Sequence, residues 1–195
     1  MKEYKTLKRL KKGNSKLHNI LIFDLPAIKT CLNCGDCKKT CYAMKAQKMY
    51  PNVRNWRSDN LDISQTLSFI NIISDQLRKA KQTTVRIHSS GDFYNQEYID
   101  KWAIIVRMFP NINFYAYTKV SDLFNFAPLT TLNNFNLINS FVDGSLNYGK
   151  VDYIKGLNNK IKDSFICPAT TQKGVKCGLD CNYCIKGSKP LFIIH

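Results

Sequence analysis

The residues of this 195-residue chain best suited to chemistry are its eight cysteines, which fall into two groups of four. Cys31, Cys34, Cys37 and Cys41 lie within eleven residues, in the stretch TCLNCGDCKKTCYA. Cys167, Cys177, Cys181 and Cys184 form the second group, and the 125 residues between Cys41 and Cys167 contain no cysteine. Thiolates two or three residues apart converge on a metal centre with little loop to order. The first group has the intervals of ferredoxin-type 4Fe–4S ligation, with Tyr42 where that pattern has proline. Zinc is the competing reading, because two Cys-x2-Cys pairs can build a tetrahedral four-thiolate site. Spacing alone leaves both open, and either one or two centres; the consecutive Cys-x2-Cys steps favour a cluster. Disulfides require an oxidising compartment, so they rank behind metal for a chain read as intracellular.

Several elements are needed to position these thiols. His18 to Leu25, HNILIFDL, reads as a short, doubly buried strand ended by Pro26. Tyr42 to Tyr50 reads as a helix that Pro51 stops, which puts the first cysteine group between a strand and a helix. Ile63, Leu67, Ile70, Ile73 and Leu77 recur at helical spacing and predict one amphipathic helix from about Asp62 to Lys81. Thr83 to His88 predicts a strand running into Ser89-Ser90-Gly91-Asp92. Tyr98, Trp102, Ile105 and Phe109 mark one face of the next helix, with Pro110 beyond it. Ile112 to Tyr117 predicts another strand, with Thr118 and Lys119 at its exit. A weaker repeat follows: a helix within Asp122 to Leu132, then a strand from Phe135 to Val142 ending in Asp143-Gly144-Ser145. Ser164 to Ile166 predicts a last short strand leading into Cys167.

Repeated β-α units imply an α/β fold with a parallel sheet and helices outside it. The sheet is expected to be open or curled into a partial, incomplete TIM-like barrel with cysteine-rich metal-binding ends, since a full barrel takes about 250 residues. Ligands of parallel sheets gather at the carboxyl ends of the strands. The first cysteine group, Ser89–Asp92, Thr118-Lys119 and Asp143-Gly144 all fall at such ends, so they are expected to converge. Taken singly, Ser89–Asp92 reads first as a common βα turn with Asp92 near a helix start; its shared edge with the metal candidate shifts the balance.

Hydrophobic residues at 44% and aromatics at 12% argue for a folded globule rather than a disordered chain. No apolar stretch reaches bilayer-spanning length, and the basic start lacks a secretory signal's apolar run, so a cytoplasmic protein without membrane association is expected. The formal charge of +15 favours a polyanionic partner, nucleic acid first, against the plainer reading of a solubilising lysine surface. Seven of the first sixteen residues are Lys or Arg, so residues 1–17 are expected to be a flexible basic arm before a single α/β iron–sulfur domain over 18–195. The sequence leaves the oligomeric state open.

Five segments carry a resemblance over roughly residues 20 to 185: FDLPAIKTC (Phe23 to Cys31), CKKTCYA (Cys37 to Ala43), YPNVR (Tyr50 to Arg54), RIHSSGDFYNQEYIDKW (Arg86 to Trp102) and FYAYTK (Phe114 to Lys119). With the late Cys167-Pro168-Ala169 and the closing cysteines, they resemble the phage gene product 88 family. That resemblance implies a phage-encoded protein of the host cytoplasm and brings no established reaction. A more distant likeness is to a phage group whose proteins look like radical S-adenosylmethionine proteins. It implies that Ser89, Ser90, Gly91 and Asp92 hold the cofactor's methionine ammonium, Asp92 supplying the charge and Gly91 the close approach. It further implies that Lys119 meets the carboxylate and that His88 lines the pocket. Cys177-x3-Cys181-x2-Cys184, with Tyr183 before the last cysteine, resembles the three-cysteine motif of those enzymes. The first group has that motif's place after the first strand but a different spacing. On this reading the first group holds the main 4Fe–4S cluster, and the second holds an auxiliary cluster or lends a ligand to the first. The function expected is that of a small radical S-adenosylmethionine-like enzyme acting on nucleic acid or a related substrate. The alternative is a non-catalytic nucleic-acid-binding protein braced by iron–sulfur or zinc. A two-cluster electron carrier ranks last, because the long cysteine-free α/β segment is surplus to that task.

Overall fold

Strand alternation sorts apolar side chains to two faces of one sheet, and the two faces are covered differently. The computed structural model describes residues 8–13, 16–35, 37–140, 164–186 and 189–191. Among them β2 (Leu21–Phe23), β3 (Thr84–Ile87), β4 (Asn113–Thr118) and β5 (Phe135–Asn139) pair in parallel, in that order. A short β1 (Lys11–Lys12) adds to the outer edge of β2 in antiparallel fashion. In register, Leu21 lies opposite Val85, Val85 opposite Phe114 and Phe114 opposite Phe135. These residues, with Phe23, Ile87 and Ala116, face the helical layer and belong to the main core.

That layer holds α3 (Pro51–Ser64), α4 (Ser68–Arg78), α5 (Gln96–Met108) and the single turn α6 (Ala127–Thr130). Phe69, Ile73 and Leu77 of α4 and Tyr98, Trp102 and Ile105 of α5 are buried against the strands. Phe23, Phe69 and Trp102 meet edge to face, with ring centroids 5.4 to 5.5 Å apart. The other face carries a smaller cluster of Leu17, Ile20, Ile22, Tyr115 and Ile138. Cys177, Cys184 and Ile185 of the late cysteine segment pack on it, in place of helices.

Several expectations are corrected. The helix predicted from Asp62 to Lys81 is two helices, with Leu67 in the break 86% exposed. The hydroxyls of Ser64 and Thr66 donate to the carbonyls of Leu61 and Ile63, competing with the helical ladder. Pro51 ends α2 (Tyr42–Met49) but also opens α3, a first-turn position where its missing N–H costs nothing. The helix expected over Asp122 to Leu132 shrinks to α6 because Pro128 sits in its first turn and starts it. β6 (Ser164–Ile166) leaves the main sheet and pairs in parallel with β7 (Lys189–Leu191). The main sheet is open, with β1 and β5 at its ends, and the described strands do not curl into the expected partial barrel. Its second face is sealed by the cysteine segment instead of by closure, and one edge is blunted by a two-residue strand of lysines. Asp143-Gly144-Ser145 lies outside the described residues.

The described part of the expected basic arm is built into the fold. The N–H groups of Arg9 and Leu10 donate to Gln76 Oε1 at 2.8 and 2.9 Å, and both residues are buried. The Lys11 ammonium stands 4.0 Å from the centroid of the Trp56 ring. Among the described residues no helix is long and apolar enough to cross a membrane.

Candidate functional site

The carboxyl ends of β2, β3 and β4 are tied together by two buried carboxylates. Asp24, just past β2, accepts from Ser89 N at 2.6 Å, Ser90 N at 3.0 Å and Ser89 Oγ at 2.9 Å. Its second oxygen meets Arg57 Nη2 at 3.3 Å, with both side chains 6% exposed. Arg57 in turn donates to the Ala43 carbonyl at 2.9 Å, and Ala27 N donates to Gln47 Oε1 at 2.6 Å, fastening α2 onto the rim. Asp92 performs the matching task between β3 and β4. Its Oδ1 accepts from Phe93 N and Thr118 Oγ1 at 2.8 Å, and its Oδ2 from Lys119 N at 2.9 Å. Burial pushes the Asp92 carboxyl above its ordinary range, against those hydrogen bonds. Ser90 Oγ donates to the Leu25 carbonyl at 2.9 Å. Gly91 has φ +83°, and a Cβ there would lie 2.6 Å from both Leu25 Cβ and Thr30 Oγ1. The Ser89–Asp92 turn is therefore a close-packed knot beneath the first cysteine loop, with its polar groups largely used internally.

The first cysteine group lies on that knot. Asn33 Nδ2 donates to the Lys119 carbonyl at 3.0 Å, and the Tyr42 hydroxyl donates to the Ser89 carbonyl. Cys37 opens the short α1 (Cys37–Thr40), and Cys41 stands at the N-cap position of α2. Burial pushes the Cys31 thiol up to about 11; a backbone hydrogen bond with Ile28 opposes it, while Asp92, Cys34 and Cys41 add to it. Cys34 is also raised, by burial and then by Cys37 and Cys41, with Lys119 and Lys38 pulling the other way. The expected convergence of this group with Ser89–Asp92 and Thr118-Lys119 is thus present in the fold.

His88 turns away from the rim. It has φ 69°, it is buried, and its Nε2 lies 2.8 Å from the Tyr98 hydroxyl, its ring between Phe93 and Tyr98. Burial, and then the Arg86 charge, lowers its pKa to about 3, so it is a neutral core residue rather than a pocket lining.

The second cysteine group occupies the sheet's other face. Cys167, at the N-cap position of α7 (Pro168–Thr171), and Cys181 are buried. Cys177 is stitched to the amino-terminal segment through Cys177 N to Lys16 O at 2.7 Å and His18 N to Cys177 O at 2.8 Å. Burial raises Cys184 to about 11; a hydrogen bond from Tyr117 opposes this, and Cys167, Cys177 and Cys181 add to it. Cys177 is raised by burial and then by Cys167 and Cys181, while Arg86 lowers it. Arg86, on the middle strand β3, places its guanidinium 4.9 Å from the Tyr117 ring centroid and donates from Nε to the His88 carbonyl at 3.0 Å.

All eight cysteines are free thiols. Within each group they lie near enough for one sulfur to hinder ionisation of another, and an all-thiol donor set of this kind suits zinc or an iron–sulfur cluster. Among the described residues, no three His, Cys, Asp or Glu side chains are drawn into a metal-holding arrangement.

The sequence model of the Gene product 88 family matches residues 1–187. The chain belongs to the Gene product 88 family. It is similar to the Gene 88 protein of Mycobacterium phage D29, with 27% identity over 154 residues, covering 72% of this chain and 64% of that protein. It is also similar to the Gene 88 protein of Mycobacterium phage L5, with 25% identity over 183 residues, covering 78% and 76%. The match thus spans less than two thirds of the D29 protein's own length. No solved structure matches. Family membership brings no link to radical S-adenosylmethionine proteins and names no reaction. For this Gene product 88 protein, sequence reasoning missed Asp24, Arg57, Tyr42, Arg86 and Tyr117. A signal for Asp24 was present, since one carboxylate ending an otherwise apolar strand run demands a buried partner.

Proposed function

We propose that this Gene product 88 protein is an iron–sulfur protein of phage origin, with Cys31, Cys34, Cys37 and Cys41 as the candidate ligands of a 4Fe–4S cluster over the carboxyl rim, three of them binding iron and the fourth leaving one iron site open. Cys167, Cys177, Cys181 and Cys184 hold a second centre against the opposite sheet face. The observation that carries the reading is the first group of four free, mutually interacting thiols above the joined ends of β2, β3 and β4. Phage origin is supported by the two mycobacteriophage relatives. A thiolate-bound cluster supplies one-electron chemistry when present. Under this reading the protein is a small radical S-adenosylmethionine-like enzyme acting on nucleic acid or a related substrate. Ser89, Ser90, Gly91 and Asp92 shape the floor of its cofactor site, and Lys119 stands beside Cys34. Asp92 Oδ2 carries one hydrogen bond and retains acceptor capacity for an ammonium donor.

A second reading has its own observation. The Ser89–Asp92 polar groups are already paired within the protein, as a purely structural brace would have them. In that case iron–sulfur or zinc stabilises a nucleic-acid-binding fold and performs no reaction. Anaerobic purification with iron, zinc and acid-labile sulfide analysis decides the metal: iron with sulfide and absorption at about 400 nm is expected. Zinc without sulfide would reject the cluster. Incubating the reduced, iron-loaded protein with S-adenosylmethionine then decides the activity. Release of 5′-deoxyadenosine supports the enzyme, and its absence with an intact cluster leaves the brace.

A further inference from the structure

The helical cap over the rim has a second chemistry that does not involve its thiols. From Lys29 to Arg54 the chain has six basic residues, Lys29, Lys38, Lys39, Lys45, Lys48 and Arg54, against one acidic residue, Asp36. All six basic residues are exposed. Among them Tyr42, Met49 and Tyr50 are 65%, 67% and 54% exposed. Tyr42, Lys45 and Met49 are three and four residues apart along α2 and so share one helix face. Lys48 and Tyr50 flank that face, and Arg54 follows one turn into α3. The Tyr42 hydroxyl is fixed on the Ser89 carbonyl, so its ring is held in place rather than free to rotate.

Isolated exposed apolar residues need no explanation. This strip differs because cations alternate with aromatic rings. The core of a protein–protein interface is depleted in lysine, whereas a groove for single-stranded nucleic acid combines phosphate-tracking cations with stacking platforms. We propose that α2 and its flanks are a docking strip for single-stranded nucleic acid. Lys38, Lys45, Lys48 and Arg54 meet phosphates, and Tyr42 and Tyr50 offer their faces to bases. The strip begins next to Cys41, so a bound strand passes beside the first cysteine group. This deepens the substrate part of the function proposed above, and it holds whether the metal is iron or zinc.

The test is fluorescence polarisation of a labelled oligothymidylate titrated with the full chain over a salt series, with metal content measured on every sample. The logarithm of the binding constant is expected to fall linearly with the logarithm of salt concentration. Lys45→Gln with Lys48→Gln should make that slope shallower by about 1.4, at about 0.7 for each phosphate contact on a single strand. Tyr50→Leu should weaken binding roughly ten-fold with the slope unchanged, as loss of one stacking platform would. Lys2→Gln with Lys5→Gln, in the amino-terminal segment, should leave the slope as it was. No binding by the parent chain at about 50 mM salt would overturn the proposal. So would a slope lost through Lys2 and Lys5 but not through Lys45 and Lys48. Equal, strip-dependent binding to anionic phospholipid vesicles would assign the strip to membranes instead, and self-association abolished by Tyr50→Leu would assign it to a second copy. Binding without iron rejects only the cluster, and iron without binding rejects only the strip.

Discussion

Replacing Asp24 by Asn tests whether a buried carboxylate joins the strand ends. The amide keeps an oxygen for Ser89 N and Ser90 N, but it removes the charge facing Arg57, whose side chain is 6% exposed. Breaking a buried pair from one side costs about 3–5 kcal/mol, because the remaining charge stays desolvated and unpaired. With a urea m-value of about 2 kcal/mol/M, the unfolding midpoint should fall by about 2 M. Adding Arg57→Met to Asp24→Asn removes the stranded charge, so the double variant should be more stable than Asp24→Asn alone. Midpoints from urea titrations followed by far-ultraviolet circular dichroism give all the values needed. An Asp24→Asn midpoint within about 0.3 M of the parent, or a double variant destabilised by the full sum of the singles, would refute the buried pair as the joint of the rim.

Three further outcomes are expected. His88 has a pKa of about 3 in the folded protein and an unfolded value near 6.5, so between those pH values only the unfolded chain binds the proton. Stability contributed at neutral pH is therefore lost as pH falls from about 6.5, by about 2 kcal/mol at pH 5, and His88→Asn should make the pH slope of urea stability shallower by about one proton. Gly91→Ala should cost about 2–4 kcal/mol, from the positive φ and the 2.6 Å approaches to Leu25 and Thr30, measured as a fall in the urea midpoint. If the second cysteine group holds a metal as proposed, chelating it from purified protein should raise the fluorescence of an added hydrophobic dye, because the Cys177–Cys184 segment covers Ile20, Ile22, Tyr115 and Ile138. Unchanged dye binding after complete metal loss would show that the cover holds without it.

The parallel strands and the rim were legible because their signals are local. Alternation in Thr83 to His88 and Ile112 to Tyr117 sets the faces, and chain order places Ser89–Asp92 and Thr118-Lys119 at the same ends. The break at Gln65 to Leu67 was hidden because Ile63, Leu67 and Ile70 keep helical spacing across it; only the hydroxyls of Ser64 and Thr66 reveal the competition. Asp24 and Arg57 lie 33 residues apart, and no periodicity connects them. The place of the second cysteine group on the sheet was unreadable for a related reason. Tyr115 and Tyr117 look like the solvent side of a strand, and the burial of Tyr115 and partial cover of Tyr117 depend on Cys177 and Cys184 arriving from far along the chain. Lys11 and Lys12 resembled a free charged arm because an edge strand is specified by its neighbour's unpaired backbone, not by its own side chains.

The segment that seals the second sheet face comes after all five strands of the main sheet in chain order, and it also grips Lys16 and His18 near the start. During synthesis the first four parallel partners can assemble while Ile22, Tyr115 and Ile138 still lack that cover. The nascent protein therefore passes through a stage with one greasy side, a natural hold for a chaperone and a seed for aggregation when translation stalls. Closure across so long a span is slow. If a metal ion fastens the cysteines of this late-made flap, its supply in the cell bears on how many newly made chains survive that stage.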